Sequence, residues 1–127
     1  MTADKTGKRV LVVDDSSMMR LIVCEVIEQL GHEPIEARNG TDAIAFAQKH
    51  NPDLIVLDVI MPGESGFEIL HKLCGMEQFR TTPIIILTTE DNEEFAATAK
   101  EEGANDFLTK PVDLDLLEEK TRLYLGS

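Results

Sequence analysis

Three short segments of the chain are continuously apolar, and each is followed directly by a polar residue. They are residues 10–13, 54–57 and 84–87, and the residues that follow them are Asp14, Asp58 and Thr88. A run of four apolar residues rich in β-branched types predicts a strand that is buried on both faces. Such a strand has no reason to end in a carboxylate or hydroxyl unless its end opens onto something polar. We therefore predict three central strands with polar residues at their carboxyl ends.

The segments between these strands favour helices. Apolar residues recur at helical spacing in residues 18–30, 41–50, 66–76, 93–103 and 113–125. Ser16 and Ser17 predict the N-cap of the first helix, Gly31 predicts its end, and Asp91 with Asn92 are cap candidates for the fourth. Weaker strands are predicted at residues 33–38, as an edge strand, and at 105–109. Strands and helices thus alternate five times with short connections, which predicts an open parallel α/β sheet with helices on both faces.

Function in such sheets collects at the carboxyl ends of the strands. The residues predicted there are Asp14, Asp15, Asp58, Thr88 and Lys110. Three neighbouring carboxylates repel one another by about 3 kcal/mol per pair at ~5 Å and an effective dielectric constant near 20. Lys110 supplies one compensating charge, and a hard divalent cation with oxygen ligands, Mg²⁺ above all, supplies the rest. The remaining metal positions suit a phosphate oxygen, to which Thr88 offers a hydroxyl and Lys110 a positive charge.

Asp58 is the candidate nucleophile for phosphoryl transfer, because it is single and central whereas Asp14 and Asp15 are paired as metal ligands would be. The turn that follows it contains Gly63 and Gly66, which allow backbone groups to come close to the site. Simpler interpretations stay open at this point: Asp58 as a solvated residue at a strand end, and Asp14 and Asp15 as helix-capping acids. The three histidines are predicted to be surface residues; they are His32, His50 and His71.

Charge and composition exclude several classes of protein. The chain has 127 residues and a formal net charge of −12, with 24 acidic and 12 basic residues. Nucleic-acid phosphates would be repelled by that field, so direct nucleic-acid binding is not expected. The sequence contains no apolar stretch near the ~20 residues that a membrane span needs. Cys24 and Cys74 show no metal-binding spacing, and residues 1–8 form a polar leader without a signal-peptide core, which predicts a cytoplasmic protein.

The first helix is apolar over more than the face that a sheet can bury. Met18, Met19 and Leu21 lie in the turn nearest the aspartates, and we hypothesise that they form a docking surface for a protein partner. Tight burial of these side chains is the alternative.

The polar strand ends together resemble a known family. Asp14-Asp15, Asp58 with Met61-Pro62 and Gly66, Thr88, and Lys110-Pro111 are similar to the signature of the receiver domain of bacterial two-component response regulators. The resemblance covers the chain from Arg9 to about Leu125, which makes residues 1–8 a flexible leader and 9–125 the receiver domain. It implies a flavodoxin-like, doubly wound five-stranded sheet of order 2-1-3-4-5 with five helices.

The resemblance also implies a role for each site residue. Asp58 would accept a phosphoryl group from a histidine kinase or histidine phosphotransfer protein. Asp15, Asp58 and the backbone carbonyl of Ile60 would bind Mg²⁺, with Asp14 acting through water or by orienting its neighbours. Lys110, joined to Pro111 by a cis peptide bond, would pair with the phosphoryl group. Thr88 and Phe107 would form the conformational switch.

Three positions bear on the rate and form of this switch. Phe107 has no phenolic hydroxyl, so a state that depends on an outward hydroxyl contact is not expected, and we predict that the ring turns inward behind Thr88. Ile60 and Glu90 occupy positions that commonly tune dephosphorylation. We predict that Ile60 hinders an attacking water and lengthens the phosphorylated state.

The leading interpretation is therefore a phosphorylation-dependent signalling switch in a phosphorelay, acting on an unknown downstream protein as a monomer or a phosphorylation-dependent dimer. It would not be an enzyme beyond its own Mg²⁺-dependent phosphorylation and dephosphorylation. The alternatives are a phosphate-independent interaction module, an aspartyl-nucleophile phosphatase and a flavin-binding domain. The absence of a DxD pair at Asp58 argues against the phosphatase, and the acidic loops argue against flavin. The kinase, the target and any further domain are not indicated by the sequence.

Overall fold

The sheet has the predicted topology. The structure is a computed structural model that describes residues 7–61, 63–89 and 93–126, without the side chains of residues 64 and 65. Five strands form the sheet: β1 (Arg9–Val13), β2 (Glu33–Ala37), β3 (Leu54–Asp58), β4 (Ile84–Thr88) and β5 (Asp106–Thr109). Every neighbouring pair is parallel, and the strands lie in the order 2-1-3-4-5. The flavodoxin-like architecture is confirmed, and β2 is an edge strand as expected.

Five helices connect the strands. They are α1 (Ser17–Gln29), α2 (Gly40–His50), α3 (Gly66–Cys74), α4 (Glu93–Glu101) and α5 (Leu114–Leu125). The predicted cap of α1 is present, since the Met19 N–H donates to Ser16 Oγ at 3.2 Å. α3 ends two residues earlier than predicted, and a 3-10 turn at Glu77–Phe79 follows it. The predicted caps of α4, Asp91 and Asn92, lie outside the described residues, as does most of the predicted leader.

The apolar strands are buried on both faces, which explains their continuous hydrophobic runs. One core contains Leu11, Ile55 and Leu57 and packs beneath α2, α3 and α4. The other contains residues of alternate parity, such as Val12 and Val56, and packs beneath α1 and α5. Because helices cover both faces of the sheet, its polar side chains gather at the carboxyl ends of the strands.

A short antiparallel ladder follows β3 and was not predicted. Ile60–Met61 pairs with Glu64–Ser65, and Gly63 between them has φ +73°, a conformation that favours glycine. Gly66 packs directly on the backbone of Val59, where a Cβ atom would clash, and its N–H donates to the Val59 carbonyl at 3.2 Å. The turn after Asp58 is therefore held closely against the end of β3, as expected from the glycines.

In the first turn of α1, two of the three apolar side chains are exposed, and the docking surface stays a prediction. Met18 is 68% exposed and Leu21 is 59% exposed, whereas Met19 is half-buried and packs against the core. Tight burial is thus wrong for two of the three side chains. Of the histidines, His71 is exposed, and His32 and His50 are half-buried.

Candidate functional site

Three carboxylates meet at the carboxyl ends of β1 and β3. Each of Asp14, Asp15 and Asp58 offers an oxygen atom, and these atoms lie within 4.8 Å of one another. Asp14 and Asp58 are buried, at 0% and 1% exposure, while Asp15 is exposed. They converge because β1 and β3 are adjacent and parallel, so that residues ending the two strands reach the same edge. The arrangement is the acidic cluster that the sequence predicts.

Lys110, from the loop after β5, neutralises part of this charge. Its Nζ donates to Asp58 Oδ2 at 3.1 Å and lies 3.0 Å from Asp14 Oδ2. Burial alone would lower the pKa of Lys110, but the contacts with Asp14 and Asp58 raise it above its ordinary value of 10.5. The lysine is therefore charged at neutral pH and bound between two buried carboxylates.

The buried position of Asp58 disfavours its charged form. Burial, reinforced by the charge of Asp14, raises the pKa of Asp58 above 3.8, against the opposing effects of the Ile60 N–H and Lys110. One lysine is thus insufficient to satisfy the buried carboxylates. The site favours a further cation.

Backbone groups orient the two buried carboxylates. The Ser16 N–H donates to Asp14 Oδ1 at 2.9 Å, and the Ile60 N–H donates to Asp58 Oδ1 at 3.0 Å. Asp14 Oδ2 is buried, and its partner within the described residues is the Lys110 ammonium, 3.0 Å away. Asp14, Asp15 and Asp58 thus share this one positive charge, and such a cluster of carboxylate oxygens fits a hard divalent cation.

Thr88 lies at the end of β4 beside this cluster. It is fully buried, and its carbonyl accepts a hydrogen bond of 2.7 Å from the Lys110 N–H. In the sheet, Asp58 pairs with Leu87, the residue before Thr88. The Lys110–Pro111 peptide bond is cis, as the family resemblance implied. Thr88 and Lys110 therefore lie with Asp58 at the carboxyl ends of the strands.

Phe107 belongs to a row of aromatic rings behind the site. It is half-buried against the core beneath α4, and its ring centroid lies 6.3 Å from that of Phe95. Phe95 in turn lies 5.2 Å from Phe67 of α3. The row links β5, α4 and α3, and sequence spacing gave no sign of it because the three rings come from different elements.

Arg20 is a further polar residue at the site that the sequence did not indicate. Its guanidinium donates to the backbone carbonyl of Asp14 at 2.7 Å and to Glu36 of β2 at 2.9 Å. It occupies a position in α1 where an arginine reads as an ordinary surface residue. The contact becomes visible only in the folded structure, where α1 lies beside Asp14 and β2.

Comparison with known proteins agrees with this geometry. The sequence profile of the family described as "Response regulator receiver domain" matches residues 10–122. The chain belongs to this family. The receiver-domain resemblance read from the strand ends is thereby confirmed.

Individual relatives match this receiver domain over most of its length. PilH of Pseudomonas aeruginosa is 38% identical over 109 residues, which cover 86% of this chain and 90% of PilH. The phosphate regulon regulator PhoB of Escherichia coli is also 38% identical, but the matched part is only 46% of PhoB, so the chain spans about half of that relative.

Solved structures give the same fold. Chemotaxis protein CheY4 of Vibrio cholerae superposes with a TM-score of 0.87 at 36% identity, covering 93% of this chain and 98% of CheY4. The Mn²⁺-bound form of response regulator Rcp1 superposes with a TM-score of 0.81 at 28% identity, covering 94% of this chain and 96% of Rcp1. Within the described part of this receiver domain, no helix is both long and apolar enough to cross a membrane.

Proposed function

We propose that this receiver domain is a phosphorylation-dependent switch in which Asp58 accepts a phosphoryl group from a histidine kinase or histidine phosphotransfer protein. The observation that carries the proposal is the convergence of three carboxylates within 4.8 Å with one lysine bound between two of them. This arrangement supports a site that binds a cation and a transferable phosphoryl group. It follows that the domain acts as a signalling switch and catalyses only reactions of its own Asp58.

The residues present fit a divalent metal, and Mg²⁺ is the cation we assign. Asp15, Asp58 and the Ile60 carbonyl would hold it, with Asp14 ligating through water. When bound, the metal would neutralise phosphoryl oxygens and lower the repulsion between an anionic donor and the carboxylates. The Mn²⁺ in Rcp1 supports a divalent cation in a protein of this fold.

Asp58 would attack the phosphorus of the donor, so that a P–O bond to the carboxylate forms as the P–N bond to histidine breaks. Burial of Asp58 keeps competing water away from the carboxylate. Lys110 would move its contact from Asp58 Oδ2 to a phosphoryl oxygen, which its flexible stem allows. Thr88 would donate its hydroxyl to another oxygen. Phe107, two residues before Thr109, the strand neighbour of Thr88, would repack behind it.

The exposed apolar side chains at the start of α1 suit the phosphodonor's docking site. Met18 and Leu21 border the acidic loop, and Leu114 of α5, 46% exposed, lines a groove with Ile22 and Val26 of α1. A donor helix docked at Met18 and Leu21 would lie beside the loop that carries Asp14 and Asp15. A Met18→Lys, Leu21→Lys variant should lose phosphotransfer from a protein donor while keeping phosphorylation by acetyl phosphate; equal loss with both donors, or no loss, would contradict this placement.

A cytoplasmic location is part of the same proposal. Both cysteines are free thiols, which suits a reducing compartment. The domain would act as a monomer or as a phosphorylation-dependent dimer. The surface that changes on phosphorylation would bind the downstream target protein.

Intact mass spectrometry tests the central step. The protein is incubated with acetyl phosphate with and without Mg²⁺, alongside an Asp58→Asn variant. The control is Asp53→Asn, which changes an exposed aspartate at the opposite end of β3. One phosphoryl group should be added to the wild type and to the control, only when Mg²⁺ is present, and none to Asp58→Asn. Addition to Asp58→Asn at the wild-type rate, or no addition to the wild type, would overturn the proposal.

A further inference from the structure

Arg20 holds the backbone of the acidic loop. Its side chain is only 14% exposed, and Nη1 donates to the Asp14 carbonyl at 2.7 Å. A cation at the amino end of a helix is unfavourable to the helix dipole, so helix stability does not explain its position. The contact of Arg20 with the Asp14 carbonyl explains its position.

The Asp14 main chain is held on both sides. Its N–H donates to the Ala37 carbonyl of β2 at 3.1 Å, and its carbonyl accepts from Arg20. The peptide plane that joins Asp14 to Asp15 is therefore fixed. Within the described part of the chain, the Asp15 side chain has no hydrogen bond or ion pair, so its direction depends on this backbone.

Glu36 holds the arginine in place. Its Oε1 accepts from Arg20 Nε at 2.9 Å, and the carboxylate balances the guanidinium charge. The fork geometry of arginine lets one side chain bind a carbonyl and a carboxylate at once, which a lysine ammonium reproduces poorly. A chain of contacts thus runs from β2 through Glu36 and Arg20 to the Asp14–Asp15 peptide.

We propose that Arg20 is a positioning residue for cation binding: by holding the Asp14 carbonyl it aims the Asp15 carboxylate at the metal, with Glu36 fixing the arginine. The inference rests on the proposed function, because it needs the acidic cluster to bind Mg²⁺. Outer contacts of this kind typically change metal affinity by about 10–100-fold when removed. The charge of Arg20 itself repels a divalent cation, so positioning and charge act in opposite directions.

Isothermal titration with MgCl₂ at constant ionic strength separates the two effects. Arg20→Lys keeps the charge but loses the fork, and its Mg²⁺ affinity should fall by about tenfold. Arg20→Gln also removes the repulsive charge, so its affinity should fall less than that of Arg20→Lys. Arg80→Lys is the matched control, since Arg80 is an exposed arginine paired with Glu77, and its affinity should stay at the wild-type value. The metal-free variants should show a changed Asp15 amide ¹⁵N shift in NMR spectra, because that amide shares the peptide plane that Arg20 holds.

The outcomes are distinct. Wild-type affinity in Arg20→Lys would overturn the positioning role, and tighter binding in Arg20→Gln beside it would leave only a charge effect. No Mg²⁺ binding by the wild type would instead overturn the metal site in the proposed function. If Arg20→Lys does not fold, Glu36→Gln takes its place: affinity weakened severalfold supports the chain of contacts, and wild-type affinity overturns it.

Discussion

Ile60 lies two residues after Asp58, and we predict that its side chain hinders a water approaching Asp58. Its N–H binds Asp58 Oδ1 at 3.0 Å, and its side chain is 47% exposed. An apolar side chain here offers no partner to a water that would attack an aspartyl phosphate. A polar amide in its place would hold such a water by a hydrogen bond.

Ile60→Asn should therefore shorten the lifetime of the phosphorylated protein, by roughly tenfold. The measurement is the decay of the phosphorylated mass after removal of the donor. Ile60→Val, which keeps the apolar character, serves as the control and should decay at the wild-type rate. An unchanged lifetime in Ile60→Asn would show that this side chain does not limit water attack.

At the scale of residues, the sequence predicted those groups whose position follows from a strand end. Asp14, Asp58 and Thr88 each follow an unbroken apolar run, and parallel topology then brings them together. Arg20 was missed because its role depends on where α1 packs and on a backbone carbonyl, which has no sequence signature. Contacts between side chains of different elements can be predicted only once the tertiary structure is known.

At the scale of elements, β5 and α5 are joined by a polar cluster. Asp106 of β5 accepts from Lys120 at 2.9 Å and from the Tyr124 hydroxyl at 3.0 Å. Burial alone would raise the pKa of Asp106, but hydrogen bonds from Lys120, the Phe107 N–H and Tyr124 lower it below 3.8. The carboxylate thus stabilises the fold at pH values above 3.8, and this contribution is lost as the pH falls through the lowered folded-state pKa.

Lys120→Met should lower the free energy of unfolding at pH 7 by about 1 kcal/mol. The loss should be smaller at pH 3, where protonation of Asp106 already removes part of the contribution in the wild type. Urea unfolding at the two pH values measures both effects, with the exposed Lys100→Met as control. A loss that is equal at pH 3 and pH 7 would mean that Lys120 acts through packing of its stem and not through the charge of Asp106.

Elements with an unbroken apolar run or a helical repeat were predicted better than strands of two residues. α1, β3 and β4 lie within one or two residues of their predicted bounds because their apolar patterns are clear. The ladder of Ile60–Met61 with Glu64–Ser65 has only two residues per strand, too few to show alternation. It depends instead on the Gly63 turn and on the close contact of Gly66 with Val59.

At the scale of the whole molecule, we predict that the acidic cluster makes the stability of the fold depend on divalent cations. The net charge is −12, and two of the carboxylates are buried at one end of the sheet. Because the folded-state pKa of Asp58 is raised above 3.8, its contribution to stability is lost as the pH rises from 3.8 through that pKa. At pH 7 the metal-free fold therefore carries an unfavourable charge that Mg²⁺ binding would relieve.

Two thermal denaturation series at pH 7 should reveal this linkage. In the wild type, Mg²⁺ at a hundredfold excess over its Kd should stabilise the fold by about 2.7 kcal/mol, or roughly 10 °C in Tm, and NaCl of equal ionic strength should give a smaller rise by screening alone. Asp58→Asn should be more stable than the wild type without metal, because the buried charge is gone, and should gain less from Mg²⁺ because a ligand is lost. Equal effects of the two salts on the wild type would show that Mg²⁺ acts only on the overall charge and not through the cluster of Asp14, Asp15 and Asp58.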